Sequence, residues 1–370
     1  MNDGNYDAYV SYDSSNNSNM RYLTNFTASD PYVYILSRTG VGTIIVPTME
    51  YTRACKQSTC NVLTRNEAGY LDLFKKYKDP ELALAHLMKK IGGNKLLIPS
   101  SMPVGFANIL SSVAEIGIDK NSVTSMRSIK TENELNKIRE VQRKTEIATQ
   151  HAIDFIRDSK IDTNGGLIMD DVPVTSESIR ELISLKLRSL NCEDHDTIVS
   201  CGIDTSMPHC IGEGQLKSNQ PIVLDVFPRD LTTGYFADMT RTISKGTPSQ
   251  KIIDMYETVR NAKSLAIDMI QPGISGSDVH NAVTEYFESK GYHTSGLSGF
   301  IHGLGHGVGL DIHESPSLSQ SGDILKPGNV ITIEPGLYYP GIGGIRLEDM
   351  GVVTNNGFDK FTNYNEILIV

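Results

Sequence analysis

Residues 222–242 read IVLDVFPRDLTTGYFADMTRT, and this stretch determines how the second half of the chain is interpreted. An apolar run carries an acid at Asp225, the chain turns through Pro228 and Gly234, and a second run carries another acid at Asp238. The pattern indicates an antiparallel hairpin. Because paired residue numbers in a hairpin have a constant sum, the two aspartates can lie opposite each other on one face if the loop is centred between them. Facing carboxylates repel, so a cation is expected between them.

A second unusual stretch, residues 300–314, reads FIHGLGHGVGLDIHE. It holds three of the nine histidines in the chain: His302, His306 and His313. The interleaved glycines leave the backbone open to close approach by a ligand. Taken alone, this pattern is compatible both with structural histidines and with metal ligands.

Two glutamates interrupt later apolar strands, Glu334 in residues 331–336 and Glu348 in residues 344–349. Together with Asp225 and Asp238 they bring four negative charges, which two divalent cations would balance if His306 is neutral. Oxygen-rich ligation with one imidazole suits manganese, cobalt or iron, and zinc less specifically. Two bridged metal ions are a known device for hydrolysis. The residues therefore predict a site for two divalent metal ions.

The chain length of 370 residues predicts two domains, residues 1–125 and 126–370. The first is predicted as a small α/β domain, and part of its first 20 residues, rich in Asn, Ser, Asp and Tyr, is expected to be frayed. Its predicted strands are residues 32–36, 42–47 and 95–99, and its predicted helices are residues 79–91 and 107–116.

A long helix over residues 131–156 is predicted to open the second domain, because Thr131 and Glu134 form a capping-box pattern before an apolar stripe. Three further helices are predicted over residues 176–190, 249–270 and 277–290. The predicted strands of this α+β domain are residues 197–201, 221–227, 234–244, 330–335, 344–348, 350–354 and 366–370.

Composition excludes several classes of function. The formal net charge of −10 argues against nucleic acid as the main partner. Five cysteines without a CxxC pair argue against a disulfide framework and a cysteine-ligated zinc, and predict buried free thiols. The polar start of the sequence shows no secretory signal, and no apolar run is long enough for a membrane span. These features predict a soluble cytoplasmic protein without a membrane partner.

The motifs together resemble the metallopeptidases of the pita-bread fold, a family that includes Xaa-Pro aminopeptidase, Xaa-Pro dipeptidase (prolidase), methionine aminopeptidase and the metal-free creatinase. Residues 20–26, MRYLTNF, resemble the beginning of the creatinase-type N-terminal domain, and residues 128–135, SIKTENEL, resemble the start of the catalytic domain. The five ligand motifs occur in the family's order. The resemblance implies an α/β creatinase-like N-terminal domain followed by an α+β pita-bread catalytic domain.

The resemblance also assigns residues to roles. It implies that two divalent ions, manganese or cobalt with zinc or iron as alternatives, are held by Asp225, Asp238, His306, Glu334 and Glu348. It places His209 beside the substrate, His313 where it stabilises the tetrahedral intermediate, and His302 and Arg346 in support of the metal ligands. Glu334 is expected to transfer the proton from the attacking water to the leaving nitrogen. A homodimer formed through the N-terminal domain is also implied.

Departures from the family pattern bear on the substrate. Phe227 replaces a glycine shortly after the first ligand, which changes the predicted pocket wall, and residues 316–328 lack the arginine that holds the substrate carboxylate in dipeptide-specific prolidases. This favours an aminopeptidase that cleaves the N-terminal Xaa-Pro bond of longer peptides. An Xaa-Pro dipeptidase, with Arg229 as the substitute cation, stays open as the alternative. A non-catalytic binding module is disfavoured because all five ligand positions are retained.

Overall fold

A computed structural model describes residues 6–370, and backbone contacts divide the chain into two units. The first unit ends at Arg127, and the second runs from Ser128 to Val370. The predicted domain boundary lies two residues earlier, between residues 125 and 126. The candidate metal-binding residues all belong to the second unit.

A six-stranded mixed sheet forms the centre of the first unit, in the order β4-β3-β2-β1-β5-β6. β1, β2 and β3 pair antiparallel, and the remaining neighbours pair parallel. The strands are β1 (Ala8–Asp13), β2 (Tyr32–Ser37), β3 (Gly42–Val46), β4 (Asn61–Thr64), β5 (Lys95–Pro99) and β6 (Glu115–Asp119).

Helices cover both faces of this sheet. Alternate residues of β2 enter opposite cores, since Ile35 packs with Leu87 of one cluster and Tyr34 packs with Met20 and Phe26 of the other. Both faces are therefore apolar. The helices are α1 (Ser18–Thr24), α2 (Tyr51–Gln57), α3 (Tyr70–Tyr77), α4 (Pro80–Gly92), α5 (Val104–Ser111) and α6 (Ser122–Ser128).

One helix prediction for this unit is wrong, and the prediction of a partly frayed start is tested only for residues 6–20. The helix predicted over residues 107–116 ends at Ser111, and Glu115 begins the edge strand β6, because the alternation in residues 115–119 has the period of a strand. Within the first 20 residues, part of which was expected to be frayed, residues 8–13 form the buried central strand β1 and residues 18–20 begin α1. The part of that prediction covering residues 1–5 lies outside the described residues. The other predicted elements of this unit are confirmed: the strands over residues 32–36, 42–47 and 95–99, and the helix over residues 79–91.

Four helices support the second unit: α7 (Glu132–Asp158), α8 (Ser176–Ser189), α9 (Gln250–Met269) and α10 (Gly276–Ser289). α7 packs against α8, and α9 packs against α10. The predicted capping box is confirmed, because the Thr131 side chain accepts a hydrogen bond from the Glu134 backbone N–H and the Glu134 carboxylate accepts one from the Thr131 backbone N–H. The three further predicted helices are also confirmed.

Short sheets fill the rest of the second unit. The antiparallel sheet β11-β12-β14 and the five-stranded sheet β16-β15-β17-β20-β21 carry the candidate site, together with the hairpin β18-β19. β10 pairs with β13, and β7, β8 and β9 form a separate small sheet. The strands are β7 (Lys160–Ile161), β8 (Leu167–Met169), β9 (Val172–Pro173), β10 (Cys192–Glu193), β11 (Ile198–Cys201), β12 (Ile222–Val226), β13 (Arg229–Asp230), β14 (Met239–Ile243), β15 (Gly305–Gly307), β16 (Glu314–Leu318), β17 (Val330–Ile333), β18 (Gly336–Tyr339), β19 (Gly343–Arg346), β20 (Asp349–Thr354) and β21 (Gly357–Lys360).

Two predicted strands of this unit, and one prediction about the cysteines of the whole chain, need correction. β14 begins only at Met239, so the returning strand is shorter than predicted. Residues 366–370 form no strand, because one isolated β-bridge, between Ser244 and Ile369, is the only strand pairing they make among the described residues. The five cysteines are free as predicted, but only Cys192 is buried and Cys55 is exposed. Among the described residues, no helix is both long and apolar enough to cross a membrane.

Candidate metal centre

The hairpin of β12 and β14 brings the two aspartates to one face, but not opposite each other. Asp225 pairs with Thr240, and Asp238 lies two residues before Thr240, just ahead of β14. Residues two apart on an extended chain point to the same face, so both carboxylates still face the same side. The predicted common face is correct, and the predicted direct opposition is wrong because the loop is not centred between the aspartates.

His306 is the central residue of β15, between two glycines that allow the neighbouring strands to approach. A Cβ at Gly305 would lie 2.1 Å from the Thr332 carbonyl oxygen, and one at Gly307 would lie 2.4 Å from the Ser315 carbonyl oxygen. The His306 Nδ1 atom lies 3.1 Å from its neighbour's carbonyl oxygen, at Gly307. When Nδ1 donates this hydrogen bond, Nε2 is left as an acceptor for a metal ion.

The two glutamates are placed at strand ends. Glu334 directly follows β17, and its backbone N–H donates to the Leu304 carbonyl. Glu348 lies between β19 and β20, and its backbone N–H donates to the Thr240 carbonyl. Each glutamate therefore adjoins a strand that pairs with, or is hydrogen-bonded to, a segment carrying another residue of the site.

The side chains converge on one point. The Nε2 atom of His306 lies 3.6 Å from Asp238 Oδ2 and 3.4 Å from Glu334 Oε1. Asp238, His306 and Glu348 each offer one ligand atom, and these three atoms lie within 4.8 Å of one another. Asp225 joins the group through Thr240, whose hydroxyl oxygen lies 3.0 Å from Asp225 Oδ1 and 2.8 Å from Glu348 Oε2.

Electrostatics in this cluster favour a bound cation. Burial, reinforced by the neighbouring carboxylates, raises the pKa of Asp238 and of Glu334 well above their usual range, and raises the pKa of Glu348 to about 7. Burial, helped by His313, lowers the pKa of His306 to about 4, so its imidazole is neutral. Divalent cations would offset both the cost of burying these charges and the repulsion between them.

Two buried oxygens point to the same conclusion. Asp238 Oδ1 and Glu348 Oε1 are shielded from solvent and have no hydrogen-bond partner among the described residues. A buried unpaired carboxylate oxygen is costly unless a cation satisfies it. The donor set of carboxylates and one neutral imidazole therefore fits a divalent metal ion.

Arg346 and His302 support the cluster from behind. The Arg346 guanidinium lies 2.6 Å from Asp225 Oδ2 through Nη2 and donates to Tyr338 through Nη1 at 3.0 Å. The Tyr338 hydroxyl lies 2.9 Å from His302 Nε2. Burial, followed by the Arg346 charge, lowers the pKa of His302 to about 3, so this ring is also neutral. Among the described hydrogen bonds, the link from His302 to the cluster runs through Tyr338 and Arg346.

Two supporting residues, Thr240 and Tyr338, were missed by the sequence analysis. Thr240 could have been found, because it lies two residues after Asp238 and so shares its face once the segment is recognised as extended. Tyr338 could not, since its contacts with His302 and Arg346 arise only when β18 folds back on β19.

A cavity of about 930 Å³ opens above the cluster. His209 and His313 line it, and the His313 ring centroid lies 4.3 Å from that of His306. Phe227 is part of its wall, as predicted, together with further apolar side chains: Ile198, Ile211, Phe236 and Ile312. Arg229 does not line the cavity; its guanidinium lies 3.7 Å from a Glu193 carboxylate oxygen.

The carboxylate and histidine cluster beneath this cavity defines the second unit as a metallopeptidase-type domain, and comparison with known proteins agrees. The model of metallopeptidase family M24 matches residues 136–355, and the model of the creatinase/prolidase N-terminal domain matches residues 1–148. The chain belongs to metallopeptidase family M24.

Relatives cover nearly the whole chain. An Xaa-Pro dipeptidase of Pyrococcus horikoshii is 32% identical over 341 residues, which are 91% of this chain and 88% of that protein. The structure of an Xaa-Pro dipeptidase from Bacillus anthracis superposes with a TM-score of 0.84 at 27% identity, covering 99% of this chain and 95% of that one. An X-Pro aminopeptidase from Thermotoga maritima shares the fold, with a TM-score of 0.83 at 24% identity over 99% and 98% of the two chains.

These comparisons confirm the predicted family and fold class, a creatinase-like N-terminal domain followed by a pita-bread catalytic domain. They also confirm the predicted class of enzyme, a metallopeptidase, and with it a requirement for divalent metal ions. The roles of the individual site residues and the identity of the metal stay predictions.

Proposed function

We propose that this chain is a dinuclear metal-dependent aminopeptidase that hydrolyses the N-terminal Xaa-Pro bond of peptides. The observation that carries the proposal is the group of buried, unsatisfied carboxylate oxygens around a neutral imidazole at the floor of an open cavity. The named activities of the relatives supply the preference for proline.

Five side chains would hold the two metal ions: Asp225, Asp238, His306, Glu334 and Glu348. Manganese or cobalt suits this oxygen-rich set best, with zinc or iron as alternatives. When bound, the ions would lower the pKa of a water molecule and polarise the scissile carbonyl. The four carboxylates and two divalent charges would neutralise each other, which makes double occupancy the balanced state.

The remaining roles fall to groups of the chain itself. Glu334 accepts the proton of the attacking water on a carboxylate oxygen and delivers it to the leaving nitrogen. His313, whose pKa is lowered by burial, faces the cavity as a neutral imidazole with one N–H available to the developing oxyanion. His209, on another wall of the same cavity, positions the residue after the cleaved bond. Arg346 and His302 fix the carboxylates from behind.

The charge of the cavity favours an aminopeptidase. Among its described lining residues the one arginine or lysine is Arg346, which is 4% exposed and engaged with Asp225. A dipeptide would bring its C-terminal carboxylate into this space without a cationic partner. The second candidate, an Xaa-Pro dipeptidase, is favoured by the names of relatives such as the P. horikoshii protein.

We further propose that the protein is a cytoplasmic homodimer that contacts neither membranes nor nucleic acid. Support for dimerisation through the first unit comes from its exposed apolar side chains. Met49, Val104, Ile118 and Met126 are each more than half exposed. Val104 and Ile118 lie on α5 and β6, which contact each other, and a contiguous apolar patch marks a surface that another chain covers.

The experiment compares hydrolysis of matched di- and tripeptides, with proline or alanine as the second residue, by metal-stripped protein before and after addition of manganese or cobalt. Metal-dependent cleavage of the proline tripeptide is expected. Cleavage of the dipeptide alone would replace the proposal with the dipeptidase. Absence of cleavage with two metals bound would refute the substrate assignment, and absence of both metal and cleavage would favour a non-catalytic binding module.

A further inference from the structure

A buried ion pair adjoins His313 in the second unit. The Lys130 Nζ atom donates to the Glu314 Oε1 atom at 2.5 Å, and the two side chains are 1% and 7% exposed. Glu314 begins β16, directly after His313. The proposed mechanism uses His313 but gives this ion pair no role.

The direction of the Glu314 side chain is coupled to that of His313. Adjacent residues of an extended chain point to opposite faces, so a carboxylate held inside the protein leaves the preceding imidazole directed to the other face. His313 lines the cavity above the metal centre, whereas Glu314 does not occur among the described lining residues. Holding the carboxylate therefore holds the imidazole towards the cavity.

The Glu314 carboxylate also contacts the start of the turn that carries His313. A Cβ at Gly309 would lie 2.5 Å from Glu314 Oε1 and 2.7 Å from Oε2. The turn over residues 309–313 therefore begins against the carboxylate and ends at the residue that bears it. A fixed position of this carboxylate restrains the turn at both ends.

Lys130 extends from a well-anchored backbone. Its N–H donates to the Gly328 carbonyl at 2.9 Å, and the Asn329 side-chain amide donates to the Ser128 carbonyl at 2.8 Å. Residues 328–329 directly precede β17, and Thr131, the next residue after Lys130, caps α7. The ammonium group is thus held between the start of α7 and the start of β17.

Stability alone is a weak explanation for this ion pair. Taking two charges out of water costs about as much as their attraction returns, and apolar side chains of similar volume often stabilise a fold equally well or better. A charge-assisted hydrogen bond adds a defined geometry. That geometry is imposed here on the turn that carries a proposed catalytic residue.

We propose that Lys130, acting through Glu314, is a positioning residue that holds the turn over residues 309–313 so that the His313 imidazole faces the reacting carbonyl. This inference rests on the proposed peptidase function and on the role proposed there for His313. Neither Lys130 nor Glu314 occurs among the described residues that line the cavity, so the pair acts through His313 and not on the substrate. A displacement of about 1 Å at such a group can lower the rate roughly 100-fold.

The test is a double-mutant cycle on the manganese-loaded full chain, with Ala-Pro-Ala as substrate, or Ala-Pro if only the dipeptide is cleaved. Lys130→Met removes the ammonium and keeps the length of the side chain. It is expected to lower kcat by about 10- to 100-fold, with KM and manganese content unchanged, because His313 acts mainly in the transition state. In a His313→Ala background the same change is expected to lower kcat by less than about twofold, because the group through which Lys130 acts is absent.

Lys144→Met is the matched control. Lys144 also lies in the second unit and pairs with a buried carboxylate, that of Asp230, at 2.7 Å. Neither residue occurs among the described residues that line the cavity. This variant is expected to lose stability and to keep the kcat of the wild type. A fall in kcat equal to that of Lys130→Met would show a general effect of breaking a buried ion pair, and would overturn the inference.

Gly309→Ala keeps the test decisive if Lys130→Met fails to fold. Its methyl group would displace the Glu314 carboxylate while every charge is retained. The same fall in kcat is expected, and again not in the His313→Ala background. Wild-type kcat in both variants, or an equal loss with and without His313, would overturn the inference alone. No metal-dependent cleavage of any peptide by the wild type would overturn the proposed function, and this inference with it.

Discussion

Thr240 carries no charge, yet its hydroxyl oxygen lies within hydrogen-bond distance of Asp225, Glu348 and the Arg346 Nε atom. It can accept from the guanidinium while donating its single proton to one carboxylate, and so it sets the spacing of two proposed ligands. Groups that orient ligands in this way tune metal affinity strongly.

Thr240→Val keeps the volume of this side chain and removes its hydrogen bonds. We expect metal affinity to fall by roughly 10- to 100-fold, with activity restored at high metal concentration. Isothermal titration with manganese measures the change. Thr149→Val is the matched control, because Thr149 is also buried but its hydroxyl has no hydrogen-bond partner among the described residues. Unchanged affinity in Thr240→Val would remove Thr240 from the site.

Glu348 gives the metal-free protein a specific pH dependence. Its pKa is raised by burial, then by Asp225, from an ordinary value of 4.5 to about 7. The folded state therefore keeps a proton that the unfolded chain has released, and this group destabilises the metal-free fold increasingly as pH rises from 4.5 through 7. The buried histidines, whose pKa values are lowered, make the metal-free fold more stable as pH rises. The contribution of Glu348 is therefore measured with a variant that keeps these histidines.

Metal-free Glu348→Gln provides that comparison. Its stability relative to the metal-free wild type is expected to be similar near pH 5 and to rise by up to about 3 kcal/mol at pH 8, since each pKa unit corresponds to about 1.4 kcal/mol. Denaturant titration at both pH values measures the difference. Saturating manganese should reverse the order, because the variant lacks a ligand. A metal-free Glu348→Gln protein that is destabilised equally at both pH values would contradict the raised pKa of Glu348.

At the scale of elements, a buried ionic network joins β14, β20 and α9 behind the site. Asp349 lies 2.8 Å from Arg241 and 2.6 Å from Lys263, and all three side chains are almost fully buried. Arg241 also donates to the backbone carbonyls of Thr240 and Glu348. The network therefore fixes the two strands that carry the centre of the site.

Asp349→Asn is expected to destabilise the protein by about 3–5 kcal/mol, because it leaves the buried Arg241 without its anion and Lys263 paired with Glu366 alone. Burial alone would raise the pKa of Asp349, but the cations of Arg241, Lys263 and Lys360 outweigh burial and hold this pKa well below its usual range. The stabilisation is therefore present above pH 3.8 and is lost as pH falls below it. Denaturant midpoints measure the effect.

The control for this change is Asp359→Asn, which removes an exposed acid that pairs with Arg139. It should cost less than about 1 kcal/mol. Equal costs for the two variants would show that the buried network does not stabilise the fold.

Elements with a strong local signal could be predicted from the sequence. Thr131 and Glu134 cap α7 as expected, and Asp225 and Asp238 face one side because the period of an extended chain is fixed. What failed depended on partners distant in sequence. The register that pairs Asp225 with Thr240 is set by the loop, and β1 is buried because it lies between β2 and β5 in a sheet whose two faces are covered by helices.

The residues of the candidate site also fall into those with a local sequence signal and those whose role depends on distant partners. The resemblance supplied the charged residues, whose motifs are local and ordered along the chain. Tyr338 could not be predicted, because its role arises only when β18 pairs with β19. Arg229 was considered as a cation for the substrate, and only the folded structure shows that it contacts Glu193.

At the scale of the whole molecule, the proposed dimer makes a direct prediction. Sedimentation equilibrium should give a mass of about twice the 40.7 kDa of one chain. Val104 and Ile118, 76% and 62% exposed on the neighbouring elements α5 and β6, are expected to lie in the contact. Replacing both by Glu should shift the mass to that of the monomer, while Leu185→Glu, at an exposed apolar position of α8, should not. A monomeric wild type would contradict the proposal.

The most direct test of the central claim is the metal content and activity of the wild-type chain and of Asp238→Ala, each stripped and then dialysed against manganese. Two ions per chain and metal-dependent cleavage of Ala-Pro-Ala are expected for the wild type, with both lost or sharply reduced in the variant while its circular dichroism is preserved. An Asp238→Ala protein that keeps full metal content and full activity would contradict the assignment of this cluster as the catalytic metal centre.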